Sequence, residues 1–301
     1  MVPLRRRVVV LFALGLFALL PVALAGPPHY VSIDYPGAAQ TFAFGINPSG
    51  DIVGSYITAG KEHGFVLRNG VFEAFDYPGA TWTECWGINP QGDIVGQYGL
   101  ADKTTHGFLL PMGSSVAVPI DVSQPTDLGA ANTMPFKITP EGAIVGCLHQ
   151  SDAAGIAMVY TMHGFVINAD DVTSDPLAGS MHTGVNASGA VAGHYYITTT
   201  TLKSYVIKNG DLTWFSFSGF DITRAYDINA NGDVVGFYRK NASSPFHGFL
   251  YQHGNISSID VGFPGVTGTR AYGINPEGDI VGNYSLAGVS HGFLLTRQGS
   301  E

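Results

Sequence analysis

The chain has 301 residues, of which 45% are hydrophobic and 12% charged, with 40 Gly, 17 Pro and a formal net charge of -9. This is too apolar for disorder and long enough for one turn-rich globular core. The acidic balance repels phosphate backbones and anionic lipid, so nucleic acid is not an expected partner.

The chain opens on a targeting segment. "MVPLRRRVVVLFALGLFALLPVALAGPP" places Arg5 to Arg7 ahead of an apolar run from Val8 to Leu20, followed by Ala23-Leu24-Ala25 as a small-residue cleavage site. Residues 1–25 are expected to be a signal peptide and 26–301 a six-repeat domain that is secreted or periplasmic. The apolar run is shorter than the ~20 residues that cross a bilayer as a helix, and nothing later is long enough. No membrane insertion is expected after processing, and the mature protein is expected to be a monomer.

From residue 45 onward the chain repeats itself. "GINPSGDIVGSY" at 45 returns as "GINPQGDIVGQY" at 87, "KITPEGAIVGCL" at 137, "GVNASGAVAGHY" at 184, "DINANGDVVGFY" at 227 and "GINPEGDIVGNY" at 273. Five copies are followed by His-Gly-Phe, beginning at His63, His106, His163, His247 and His291; the fourth has Lys203-Ser204-Tyr205 instead. A period of about 45 residues suits four short strands per repeat.

In the first repeat these strands are "TFAFGIN", "DIVGSY", "HGFVLR" and "VFEAFDY". Asn47-Pro48-Ser49-Gly50 reads as a type I turn with a G1 bulge and Asn69-Gly70 as a type I′ turn, giving two hairpins. The second strand carries apolar residues on both faces, as expected for a sheet sandwiched between neighbours. The mature chain begins with a spare fourth-type strand, "YVSIDYPG" at 30, and stops after a third-type strand, "HGFLLTRQ" at 291. Joining the two yields an all-β, six-bladed β-propeller with four antiparallel strands per blade, closed by an N-terminal strand that completes the last blade. The alternative is an open solenoid.

Counting outward from the Asn69-Gly70 turn sets His63 opposite Asp76. The same count sets His106 opposite Asp121 and His247 opposite Asp260, and closure brings His291 to Asp34. In the fourth repeat Lys203 and Ser216 take these places, so both partners are absent together. A catalytic dyad is needed once, whereas this pair recurs in four repeats, which favours a structural bond.

The recurring "GIN-x-x-GDIVG-x-Y" followed by "HGF" resembles the bacterial extracellular repeat family called HAF, across residues 30 to 298. The resemblance implies an exported bacterial protein of undetermined biochemistry and carries over no catalytic residue.

Other motifs weigh less. "DINANGD" at 227 matches half of a calcium loop, but the twelfth position is Tyr238 and sister repeats keep the turn without Asp227, so a plain turn is expected. Cys85 and Cys147 lie in adjacent repeats of an exported chain, where a disulfide is allowed; two buried thiols are the expectation. No G-x-S-x-G, H-E-x-x-H or phosphate loop occurs, and no cofactor, metal or catalytic residue is assigned.

Strand direction puts the tight turns on one face and the long, variable connections on the other, where binding residues concentrate. The third repeat inserts "VSQPTDLGAANTMP" and "LHQSDAAGIAMVYTM" there. Beside them stand four residues that break the repeat: Cys147, His149, His182 and His194. Their spacing is no known metal signature, and loop polarity explains them as well. The expected function is a binding or interaction module that receives an extracellular glycan or protein on the long-loop face. An extracellular lyase or glycoside hydrolase is the alternative. The residues that follow each second-strand glycine, Ser55, Gln97, Cys147, His194, Phe237 and Asn283, include no carboxylate, which counts against a glycosidase if they approach the axis.

Overall fold

The protein is described by a computed structural model covering residues 29–122, 131–150, 161–168, 171–174 and 178–296. The expected signal peptide and the middles of both insertions lie outside the described residues. Within them the chain is all-β, with 24 strands in four-stranded antiparallel groups.

The first group comprises β2 (Gln40–Ile46), β3 (Ile52–Thr58), β4 (Lys61–Arg68) and β5 (Val71–Phe75), paired in that order. The second is β6 (Trp82–Ile88), β7 (Ile94–Gly99), β8 (Thr105–Leu110) and β9 (Val118–Ile120), and the third β10 (Ala131–Ile138), β11 (Ile144–Gln150), β12 (His163–Asn168) and β13 (Asp171–Ser174). The fourth, β14 (Ser180–Val185), β15 (Val191–Tyr196), β16 (Leu202–Lys208) and β17 (Asp211–Phe215), touches the fifth through one parallel bridge, Leu202 to Ile222. The fifth is β18 (Ile222–Ile228), β19 (Val234–Arg239), β20 (His247–Gln252) and β21 (Asn255–Ile259). The last group runs β22 (Val266–Ile274), β23 (Ile280–Leu286), β24 (Val289–Thr296) and then β1 (His29–Ile33), which enters from the other end of the chain in a register from His29↔Thr296 to Ile33↔Gly292. The first strands of the repeats are innermost: β2, β6, β10, β14, β18 and β22 contact one another in turn, and β22 also meets β2.

The repeated residues are explained by packing. Asn47 accepts the Asp51 N–H on its Oδ1 at 2.9 Å and donates from Nδ2 to the Asn89 carbonyl of the next blade at 3.4 Å. Asn186 and Asn229 reach the next blade in the same way, at 2.9 and 3.3 Å. Gly50 takes the positive φ, +80°, that closes the hairpin. A Cβ on Gly54 would lie 1.9 Å from the Phe42 carbonyl oxygen and 2.9 Å from the Phe65 ring. The phenylalanine of His-Gly-Phe therefore occupies the space that the second-strand glycine leaves, and Phe65, Phe108, Phe165, Phe249 and Phe293 are fully buried.

In four repeats the tyrosine two residues after the second-strand glycine stacks on the histidine of His-Gly-Phe: Tyr56 on His63, Tyr98 on His106, Tyr238 on His247 and Tyr284 on His291, with centroids 5.1 to 5.3 Å apart. In the first two repeats another tyrosine covers the far side, Tyr35 on Tyr56 and Tyr77 on Tyr98, each at 3.6 Å. The repeat is thus a packing code, with little left over for a ligand.

Candidate binding site at the axial mouth

Each inner strand carries a bulge that the period-2 reading of the sequence does not anticipate. The register slips at Phe44, Trp86, Phe136, Thr183, Tyr226 and Tyr272, one position before the residue that opens each repeat. Five of these six are aromatic, and they fill the axis. Phe44 stacks on Trp86 at 4.1 Å, Trp86 meets Phe136 edge-on at 5.0 Å, and Tyr226 meets Tyr272 at 4.8 Å.

On the tight-turn side of this layer the residues opening the repeats are Gly45, Gly87, Lys137, Gly184, Asp227 and Gly273. The four glycines admit close neighbours: a Cβ on Gly87 would sit 2.6 Å from the Phe136 carbonyl. The two exceptions form an ion pair, Lys137 Nζ to Asp227 Oδ2 at 3.2 Å, with both side chains more than nine-tenths buried. Lys137 also donates to the Phe44 carbonyl at 2.8 Å, and Asp227 accepts the Ile228 and Ile274 N–H groups at 2.9 and 3.1 Å. Burial pushes Lys137 down and Asp227 up, and each charge offsets that effect on the other. Asp227 is thereby occupied, and Asn229 accepts the Asn231 and Asp233 N–H groups, so "DINANGD" is a turn.

The long-loop side is different. Two positions before each bulge stand Phe42, Glu84, Met134, Met181, Arg224 and Arg270, each directly across from the residue that follows a second-strand glycine. This ring is the mouth of the axis. Trp86 Nε1 donates to Glu84 Oε2 at 2.7 Å, and Ser55 Oγ donates to Glu62 Oε1 at 2.6 Å. Glu62 stands close enough to Glu84 for its charge to act on it. Burial, then the charge of Glu62, push Glu84 up to about 8. The pair faces a groove of about 470 Å³ lined by Ile57, Lys61, Thr81 and Trp82. Carboxyls therefore stand beside this ring on the first and third strands, whereas the residues that follow the second-strand glycines include none.

On the other side stand Arg224, Arg239 and Arg270. The Arg270 guanidinium lies 3.8 Å from the Phe246 ring centre and Arg239 4.4 Å from it, while Arg224 lies over Tyr196 at 5.5 Å. Arg224 Nη2 donates to Tyr196 Oη at 2.8 Å.

The residues singled out by sequence fall in two groups. The histidine–aspartate contacts are present: His63 Nδ1 lies 2.9 Å from Asp76 Oδ2, His106 2.7 Å from Asp121, His247 2.9 Å from Asp260 and His291 2.7 Å from Asp34. All sit toward the blade exterior, away from the mouth. Cys147, His182 and His194, by contrast, are buried at 0%, 5% and 0% exposure and present no side chain to the outer surface. His182 lies under Gly164 and bonds Tyr205 Oη at 2.7 Å. His194 bonds the Ala225 carbonyl at 3.2 Å; burial, then the Arg224 charge, hold it down at about 3, so it is neutral. His149 is half-buried beside Asn132. The four do not converge, and among the described residues no group of three His, Cys, Asp or Glu is placed to hold a metal. Cys85 and Cys147 are free and buried, and burial pushes both thiols up.

Sequence reading passed over Glu62, Glu84 and the three arginines. The available signal was the column between the repeated Thr/Ser and the bulge: Thr-Phe-Ala, Thr-Glu-Cys, Thr-Met-Pro, Ser-Met-His, Thr-Arg-Ala and Thr-Arg-Ala. Its middle position holds Phe, Glu, Met and Arg.

No known family model matches the chain, and no curated protein sequence matches it. Solved structures do. A fungal lectin from Aleuria aurantia, described as a six-bladed β-propeller with a novel fucose recognition mode, is similar with a TM-score of 0.53 at 9% identity, over 87% of this chain and 97% of that one. A putative TolB from Agrobacterium tumefaciens is similar with a TM-score of 0.54 at 14% identity, over 73% and 80%. AofleA from Arthrobotrys oligospora gives 0.51 at 11% identity, over 91% and 94%. At these identities the likeness shows the fold, a β-propeller.

Proposed function

We propose that the chain is an exported binding module of the HAF-type repeat kind, secreted or periplasmic. In this reading a closed six-bladed propeller receives a glycan at the axial mouth on its long-loop face. The observation that carries it is the division of the residues. Those that recur are consumed by packing, whereas the variable inner-strand column brings Glu84, Arg224 and Arg270 together above an aromatic floor. Aromatic area with hydrogen-bonding edges suits a sugar, whose ring faces are apolar and whose rim is hydroxylated. The Aleuria aurantia lectin, with its fucose recognition, supports the idea that such a scaffold carries saccharide sites.

The test is a glycan-array screen followed by titration of intrinsic fluorescence. A bound sugar should perturb Trp86 at the axial floor, and Trp86→Phe should remove that signal. Absence of binding to any glycan, with stable capture of an exterior protein instead, would reject the saccharide reading. Export is checked separately: the mature protein should begin at Gly26 by intact mass.

One observation favours an enzyme as second reading: two carboxyls, those of Glu62 and Glu84, line one groove. Turnover of a bound glycan that disappears in Glu84→Gln would replace the binding module with an enzyme.

A further inference from the structure

The three arginines at the mouth lack a counter-ion. Arg224, Arg239 and Arg270 are close enough that the first and last hold Arg239 below the usual guanidinium value, after burial. No carboxylate pairs with any of them among the described residues, although the chain has 23 Asp and Glu. Aromatic faces hold them, with Phe246 between Arg239 and Arg270 and Tyr196 and Phe237 beside Arg224, and Arg239 Nη1 donates to the Ala242 carbonyl at 3.0 Å and Arg224 Nη2 to Tyr196 Oη at 2.8 Å. The Nε atoms of Arg224 and Arg239 are buried without a hydrogen-bond partner.

A second observation falls on the same rung. Asn283, directly across from Arg270, is 1% exposed, and both atoms of its amide lack a partner. His194, beside Arg224, has an unpaired Nε2. Buried polar atoms are nearly always satisfied, and three like charges repel in a low-dielectric setting. Both features are what a site shows when the missing partner is an anionic, hydrogen-bonding ligand.

We propose that Arg224, Arg239 and Arg270 form the anion-binding half of the axial mouth, and that its ligand is an acidic saccharide, a sugar bearing a carboxylate. The arginine forks would take the carboxylate. The sugar ring would lie on the aromatic layer, with its hydroxyls toward Glu62 and Glu84. This deepens the glycan reading of the same site and rests on it.

The experiment uses the mature protein and uronate oligomers: oligogalacturonate, alginate oligomers and hyaluronan oligomers, each beside its carboxyl-reduced, neutral counterpart. At least one acidic oligomer should bind with a Trp86 fluorescence change, and its reduced counterpart should bind about tenfold or more weakly. Arg270→Gln and Arg239→Gln should each weaken binding by a similar factor, and added salt should weaken it further. Because the free cluster is self-repelling, neither variant should lower the melting temperature of the ligand-free protein appreciably. Equal binding of neutral and acidic oligomers, unchanged in the arginine variants, would overturn the acidic-sugar inference while leaving the glycan site standing. Binding of sulfate or acetate as tight as that of the oligomers would overturn it in favour of a free-anion site. No response to any acidic or neutral glycan would sink both readings, and large destabilisation by Arg239→Gln with binding intact would make the cluster structural.

Discussion

Asp227→Asn and Lys137→Met probe the axial ion pair, and their effects follow from its geometry. The pair is buried, with Lys137 Nζ 3.2 Å from Asp227 Oδ2, and its hydrogen bonds touch the first, third, fifth and sixth blades. Removing one charge leaves the other buried without compensation, which costs about 3–5 kcal/mol. For a domain of this size that corresponds to a melting-temperature loss of roughly 10 °C. The double variant has no charge to strand, so it should lose about 1–3 kcal/mol, chiefly from the carbonyl and N–H groups left unpaired. The pH dependence separates the singles. In Asp227→Asn the fold depresses Lys137 by burial, so the unfolded chain binds the proton more readily; stability should rise with pH toward the unfolded lysine value of about 10.4. In Lys137→Met the fold raises Asp227, the native state holds the proton more readily, and stability should fall as pH rises above about 3.9. Urea melts at acid, neutral and alkaline pH read both slopes. Additive losses, or slopes of the same sign, would falsify the account of the axis as a plug held by mutual neutralisation.

Three further outcomes are expected. His63→Ala and Asp76→Ala should each cost roughly 1–3 kcal/mol and be non-additive together, since either one deletes the same contact; strict additivity in denaturation would point to separate roles. Deleting residues 30–35 removes most of β1 and the Tyr35–Tyr56 stack, so it should cost several kcal/mol and expose the β24 edge, whereas trimming 298–301 should change the melting temperature little; equal losses would mean that β1 does not close the last blade. Glu84, raised by burial from 4.5 to about 8, holds its proton in the fold after the unfolded chain has released it, so wild-type stability should fall across that window. Glu84→Gln should therefore gain on wild type as pH rises from about 5 to about 9, and a stability difference flat in pH would show that the carboxyl is not protonated at neutral pH.

The blade pattern was legible because turn chemistry counts residues. Asn69-Gly70 has φ values of +49° and +76°, and His253-Gly254 repeats them, so pairing outward from either turn is arithmetic. The inner strand was not legible in this way. Its bulge at Phe44 and the five matching positions shifts the period-2 alternation by one residue, so the residues aimed at the axis change parity within a single strand. His182 illustrates the consequence: it stands where sister repeats have Ala43, Cys85, Ala225 and Ala271, all fully buried, and it too is buried between blades. A histidine that breaks the pattern there reads as exposed chemistry in one dimension and is a core residue in three. Glu84 and Arg270 are the reverse case, isolated charges that become neighbours of a shared opening once the strands are arrayed around the axis.

The two ends of the axis impose different conditions on charge. Toward the tight turns four of the six ring positions are glycine, and Lys137 and Asp227 neutralise each other at bonding distance beside a cavity of about 110 Å³. Toward the long loops every ring position carries a side chain, and the charges are segregated, with Glu62 and Glu84 at the first and second blades and the arginines at the fifth and sixth. A propeller that needed charge for stability alone would be expected to pair these groups, as it does with Lys137 and Asp227. Segregation instead raises the free energy of the empty mouth relative to a mouth holding a partner of matching polarity, and that difference is what a binding site uses.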